Sequence, residues 1–264
     1  MTRRLALRSV ALGYLGLLLA LPVGFVFYRA FQHGFAPAWD AITTPAALHA
    51  LWLTCLMVLV AVPLNTIFGV LCALVIVRQR FRGRALLNAA VDLPFAVSPV
   101  VVGLALLLVY GQKGWFGSWL AEHGIRVIFS PLGMILATMF VSLPFVVREV
   151  VPVLREIGTE QEQAAVTLGA SRWQTFWRIT LPAIRWGVAY GVVLTTARAL
   201  GEFGAISIVS GKIAGRTETL PLLVEDRFQS FDLTGAYAAS VVLAVLAVAA
   251  LLAMNLLRPK ETAR

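Results

Sequence analysis

The chain of 264 residues is 59% hydrophobic and 13% charged, with 22 Lys and Arg against 13 Asp and Glu, and its mean hydropathy is +0.85. Soluble domains carry about 25% charged residues, so this composition leaves too little polar surface to coat a globule and excludes a soluble enzyme. At about 20 residues per membrane-crossing helix plus loops, the length fits about six spans in one all-α transmembrane domain over residues 1–264, with no separate soluble domain.

Uncharged intervals place those spans in chain order. The first covers residues 9–28, between Arg8 and Arg29. Arg3, Arg4 and Arg8 give it the basic approach of a signal peptide, but the apolar run is long and no small-x-small cleavage site follows, so it reads as an uncleaved anchor. The second, 49–77, holds both cysteines; on a helix Cys55 and Cys72 stand ~25 Å apart, beyond disulfide reach. The third, 93–112, follows Asp92, and the fourth, 130–147, precedes Arg148. Pro94 and Pro144 are expected to kink these two near the cytoplasmic face. The fifth, 186–211, is interrupted only by Arg198 and Glu202, and the sixth, 233–257, precedes Arg258.

Basic residues orient the spans. With the N-terminus inside, segments 1–8, 78–84, 148–185 and 258–264 carry fifteen Lys and Arg, against six in the outer loops. That bias puts both termini in the cytoplasm. The cluster RQRFRGR at Arg78–Arg84 anchors this topology and meets lipid headgroups. Basic charge confined to loops offers no face for nucleic acid. Asp92 and an Arg148–Glu149 pair read as charges marking span boundaries.

The cytoplasmic segment 148–185 is the most informative. Thr159 and Glu162 have the spacing of a capping box, opening a helix from Glu160 to Leu168 that Gly169 ends in the left-handed conformation. Ser171 and Gln174 form a second box, opening a short helix expected to stop before Leu181-Pro182. On the first helix Ala164, Ala165 and Leu168 are expected to share one shallow face. The second carries Trp173, Phe176 and Trp177 between Arg172 and Arg178, which suits a headgroup interface. Both helices lying on the membrane is one reading. The acidic start of the first helix (Glu160, Glu162) and its lack of bulky apolar residues favour a protein groove instead.

The stretch QAAVTLGASRWQTFWRITLP resembles the signature of ABC-importer permease subunits: an E-A-A triplet, Gly four residues after its last Ala, then I-x-L-P. Here the positions are Gln163-Ala164-Ala165, Gly169, Ile179, Leu181 and Pro182. Gln163 stands where the family has Glu, and the neighbouring Glu162 points about 100° away around the helix. The segments HALWLT at His49, DLPFAVSPVVVGL at Asp92, PFVVREVVPVL at Pro144, ARALGEFGAISIVSG at Ala197 and GRTETLPLLVE at Gly215 are similar to the sulfate/thiosulfate group of that family.

The resemblance implies a type I importer permease fold in a bacterial inner membrane. It further implies a paralogous second permease, ABC ATPase subunits beneath, and a periplasmic sulfate-type binding protein docking on outer loops such as 111–129 and 212–232. The hairpin would then be the coupling helix, with Glu162, Gln163, Ala164, Ala165, Leu168, Gly169, Ile179, Leu181 and Pro182 engaging the ATPase. The chain has no GxxxxGK[ST] phosphate loop, so ATP and Mg are assigned to the partner ATPase, no cofactor to this chain, and catalysis to the complex rather than to this subunit. His33, His49 and His123 are scattered, so no metal site is expected.

Arg198 and Glu202, at i and i+4, can pair within the fifth span. Intramembrane charges face a bundle interior or a wet cavity, and two readings stay open: a static packing pair, or an arginine beside the path of a dianion. Gly201 and Gly204 flank Glu202-Phe203 and are expected to loosen the helix there, making Phe203 a candidate gate. A molybdate or tungstate permease shares the GEFGA element and is the nearest alternative. A stand-alone secondary anion transporter or channel is an alternative of another class, and it would leave the capped hairpin without a purpose.

Overall fold

The computed structural model describes residues 2–257, and side chains from 8 to 252; the basic tail at 258–264 lies outside the described residues. The first span is built from α1 (Thr2–Leu15), a π-helical turn (Gly16–Ala20) and α2 (Leu21–Phe31). Its most apolar stretch has no residue buried against the rest of the chain. A short α3 (Phe35–Ile42) leads to α4 (Pro45–Arg78), which Thr44 caps by accepting the Ala47 N–H at 3.3 Å. Next come α5 (Arg84–Ala96), α6 (Pro99–Tyr110), α7 (Gly117–Glu122) and α8 (Pro131–Glu156). The polar hairpin comprises α9 (Glu160–Thr167) and α10 (Arg172–Thr175), followed by a second π turn (Phe176–Thr180) and α11 (Leu181–Leu200). The chain then forms α12 (Gly204–Val209), α13 (Leu220–Gln229) and α14 (Leu233–Leu257). No strand occurs among the described residues. Among the described residues five stretches are long and apolar enough to cross a membrane, and the count is six when the bent pair α5–α6 is taken as one broken span.

The centre is a three-helix contact of α4, α8 and α11. Lipid supplies no hydrophobic drive between spans, so close approach of small residues and interhelical hydrogen bonds hold them together. Gly69 on α4 and Gly191 on α11 both abut Val146 of α8; an added Cβ would come within 2.7 and 2.8 Å of it. Nearby, Asn65 Nδ2 donates to Met139 O and to Ser142 Oγ, each at 2.9 Å, tying α4 to α8 with buried polar groups. Towards the hairpin Ile76, Val150, Leu154 and Ile184 fill the core. Towards the other face Leu53, Met57, Met134 and Ile206 do so.

Two spans depart from the expected form. The third starts at Arg84, not residue 93, and bends by 112° between α5 and α6. Proline disfavours the helical conformation in the residue before it, and Ser98 sits at φ −59°, ψ 137° ahead of Pro99. Pro94 and Pro144 lie inside α5 and α8 without ending them. The helix that carries the fifth span runs without a break from Arg172 and ends at Leu200, not at residue 211. It stops at Gly201, and the remainder forms the separate α12.

The two broken spans lie against each other. A Cβ on Gly103 of α6 would meet Ala205 O at 2.8 Å, and one on Gly204 would meet Pro99 Cβ at 2.9 Å. The outer segment 212–232 is also no open loop: α13 buries Leu220, Leu222 and Leu223. Arg227 donates to Ala41 O at 2.9 Å and Gly235 O at 3.3 Å, locking α13 to its neighbours.

Candidate functional site: the polar hairpin and the broken fifth span

The hairpin turns at Gly169, whose φ of +86° favours glycine. Ala170 N–H reaches Ala165 O at 3.0 Å and Gly169 N–H reaches Val166 O at 3.0 Å, the paired bonds of a Schellman ending. The box at Ser171–Gln174 forms in both directions. The box expected at Thr159 does not: no side chain caps α9 there. Thr159 sits at φ −119°, ψ 0°, and Glu162 is drawn elsewhere. Ala164 and Leu168 face outward, Leu168 at 88% exposure, whereas Ala165 turns inward and is buried. The expected three-residue face is therefore split. Gln163 is exposed and donates from Nε2 to Thr159 Oγ1 at 3.1 Å.

Glu162 binds Arg78, the last residue of α4. Its Oε1 accepts from Arg78 Nη2 at 3.1 Å and its Oε2 lies 3.0 Å from Nε. The same guanidinium donates to Leu154 O at 3.0 Å and Gly158 O at 2.7 Å, closing carbonyls left open where α8 ends. Thr180 Oγ1 donates to Glu162 Oε1 at 2.9 Å. Sequence reading treated Arg78 only as part of a topology anchor. Its partner is 84 residues away, and no local spacing signals the pair.

The second hairpin helix does not stop before Leu181-Pro182. Pro182 has no N–H to return to Arg178, and the chain absorbs this with a π turn in which Leu181 N–H reaches back to Phe176 O. The helix thus continues from the hairpin into α11. Ile179 and Leu181 are half-buried and Pro182 is exposed. Trp173, Phe176 and Trp177 form an aromatic group with ring centroids 5.4–6.4 Å apart. Between the hairpin and the end of α4 lies a cavity of about 820 Å³, bordered by Leu71, Leu74 and Val75 on one side and Val166 and Phe176 on the other.

The second group of expected residues lies at the far end of α11, ~27 Å along the helix from Thr180. Arg198 Nη1 is 2.7 Å from Glu202 Oε2. Glu202 is 1% exposed while the Arg198 side chain is 30% exposed, so the acid is enclosed and the base reaches an open surface. Glu202 Oε1 also accepts the Ala205 N–H at 2.9 Å, supporting the start of α12. Phe203 is partly exposed at the break between α11 and α12. The expected loosening is a complete interruption of the helix.

Arg148 pairs with Asp92, not with Glu149. Nε donates to Oδ1 at 2.6 Å and Nη2 meets Oδ2, so this two-pronged bond joins α5 to α8. Phe95 and Phe145 stack edge-on beside these positions, centroids 5.3 Å apart. At the end of the bundle away from the hairpin Lys212 donates to Glu225 at 2.6 Å. Glu218 is 3% exposed there, with Oε2 unpartnered. Burial first, and then nearby Asp226, push its carboxyl up from the ordinary value against the pull of Arg227. Cys55 and Cys72 are unpaired, and no cluster of potential metal ligands occurs among the described residues.

A bundle of apolar helices long enough to span a membrane, two of them broken and packed together, with a polar hairpin running directly into one of them, is the architecture of a multi-pass membrane protein. The chain belongs to the family of binding-protein-dependent transport system inner membrane components, which matches residues 65–262. It is 53% identical to the sulfate transport system permease protein CysW of Synechocystis sp. over 96% of this chain and 91% of that protein. It is 43% identical to the sulfate transport system permease protein CysT of Escherichia coli over 89% and 86%. Among solved structures, a chain of the bacterial alginate ABC transporter in complex with an alginate pentasaccharide-bound periplasmic protein superposes with a TM-score of 0.79 at 21% identity, covering 96% of this chain and 94% of that one. That likeness concerns the fold.

Proposed function

We propose that this chain is one permease subunit of an ATP-driven importer of sulfate and thiosulfate, forming half of the pathway through the membrane. The observation that carries the reading is the hairpin: an eight-residue α9 that leads to an outward-facing Ala164, Leu168 and Gly169, followed by the capped α10, which is continuous with a span through the π turn. A turn so presented fits a groove on a partner ATPase, and its continuity with α11 gives a movement there a route into the bilayer. ATP and Mg belong to that ATPase. The similarity to sulfate permease proteins named CysW and CysT, stronger to the first, supports a sulfate-type substrate, a paralogous second permease and a periplasmic binding protein. Both termini are cytoplasmic on this reading, following the charge bias of the loops.

In this mechanism the outward-facing Gln163, Ala164, Leu168 and Gly169 meet the ATPase, while Glu162 and Ala165, turned towards the subunit, and Ile179, Leu181 and Pro182, which lead into α11, pass the stroke on. Arg198 lines the pathway, its charge held in place by enclosed Glu202 and partly exposed to a passing dianion, with Phe203 and Gly204 forming the adjacent gate. Competition experiments test the substrate. Labelled sulfate uptake would be followed in cells lacking their own importer, supplied with this chain and its partners. Inhibition by thiosulfate but not by molybdate is expected, and inhibition chiefly by molybdate overturns the assignment.

A further inference from the structure

We propose that the Arg78–Glu162 pair is the joint that carries movement of α9 into the spans. This rests on the reading of α9 as the seat of the ATPase.

An eight-residue helix is too short to be stable alone, and α9 packs against α10 and the following π turn. Towards α4 it faces the cavity of about 820 Å³, with Val166 and Phe176 on the hairpin side and Leu71, Leu74 and Val75 across from them. Continuity through the π turn carries a push on the hairpin into α11, but across the space towards α4 such a push reaches α4 and α8 only through another connection.

The pair supplies it. The Arg78 and Glu162 side chains are only 16% and 21% exposed, unlike a loose surface bridge that salt and water weaken. Arg78 holds the ends of three elements at once: its own α4, the open carbonyls of Leu154 and Gly158 at the end of α8, and the α9 carboxylate. Glu162 adds a fourth through Thr180 in the π turn that continues into α11. The planar guanidinium fork meets these acceptors in a fixed geometry that a lysine ammonium lacks. The acid lies at position 162, facing inward, while its neutral neighbour Gln163 faces out. The charge thus serves a contact within the subunit, not the exposed docking face. Arg78 and Glu162 are positioning residues: they touch neither substrate nor nucleotide.

The test uses the assembled importer in proteoliposomes, with ATP hydrolysis and labelled sulfate uptake measured on the same sample for wild type, E162A, E162Q and R78K. E162A and R78K are expected to retain the ATPase at wild-type stoichiometry and to hydrolyse ATP, while sulfate imported per ATP falls about tenfold. E162Q keeps an acceptor for Thr180 and Arg78 and is expected to fall less. Should E162A fail to assemble, E162Q and R78K carry the same comparison. An unchanged ratio in the variants overturns the proposal. Loss of the ATPase from the variant complexes also overturns it, since Glu162 would then serve docking. Wild-type uptake that needs no ATP removes the underlying reading instead, and the two failures are distinguished by the wild-type control.

Discussion

Replacing Arg198 by Gln removes a charge from the suspected pathway, and it also strands the carboxylate of Glu202. That carboxylate is 1% exposed, with Arg198 Nη1 at 2.7 Å from one oxygen and the Ala205 N–H at 2.9 Å from the other. Breaking a buried pair by deleting one partner costs about 3–5 kcal/mol, and the partial exposure of Arg198 places this case near the lower end. The double variant R198Q/E202Q removes both charges while the amide oxygen introduced at position 202 still accepts from Ala205, so its cost is about 1 kcal/mol. The difference of about 2 kcal/mol corresponds to an unfolding midpoint higher by about 4–8 °C for the double variant. Thermal unfolding in detergent, followed by tryptophan fluorescence, measures it. Equal midpoints for the single and double variants would refute the claim that Glu202 is held by Arg198. The stable double variant then isolates the role of the charge in transport: uptake many-fold below wild type is expected, and a wild-type rate would leave the pair with a packing role alone.

Gly169 has φ +86° and open space where a Cβ would go, so Gly169→Val costs about 1–2 kcal/mol of local strain and adds bulk at the docking turn. Co-purification of the ATPase is expected to fall while the spans remain folded, and undiminished capture would mean that no groove closes over this turn. Gly191→Val pushes a side chain into the Val146 backbone, whose Cα lies 2.8 Å from the added Cβ. Overpacking of about 1–3 kcal/mol should broaden the size-exclusion profile, and an unchanged profile contradicts the close α8–α11 contact. Glu218→Gln tests the buried outer carboxyl. Its folded pKa is raised, so wild type loses stability as pH climbs from the ordinary value of 4.5 towards the raised one, because the unfolded chain releases the proton first. The variant should match wild type near pH 4 and exceed it near pH 8; equal midpoints at pH 8 would show that Glu218 carries no such penalty.

Local chemistry was legible in the sequence wherever it acts within a few residues. The apolar runs gave the spans, Gly169 gave the turn, Ser171 and Gln174 gave their box, and the i, i+4 spacing gave Arg198–Glu202. Long-range choices were hidden. Thr159 and Glu162 have capping-box spacing, but Arg78 and Thr180 outcompete the α9 N-terminus for the carboxylate. Arg148 prefers the bidentate Asp92 across a helix interface to its sequence neighbour Glu149. Hydropathy likewise cannot distinguish a straight span from a bent one: the break before Pro99 had a local cause, yet its 112° angle depends on the packing of α6 against α12. Pro182 looked like a stop because a π turn is not anticipated from a proline signal.

The central claim is that this permease moves an oxyanion only when an ATPase drives it through the hairpin. The direct measurement is labelled sulfate uptake into proteoliposomes holding this chain, its second permease and its ATPase, with the binding protein outside and ATP inside, compared with the same vesicles carrying a hydrolysis-deficient ATPase. Uptake with the active ATPase, and none with the inactive one, is the predicted result. Equal uptake in both would contradict the account and make the chain a passive or secondary carrier.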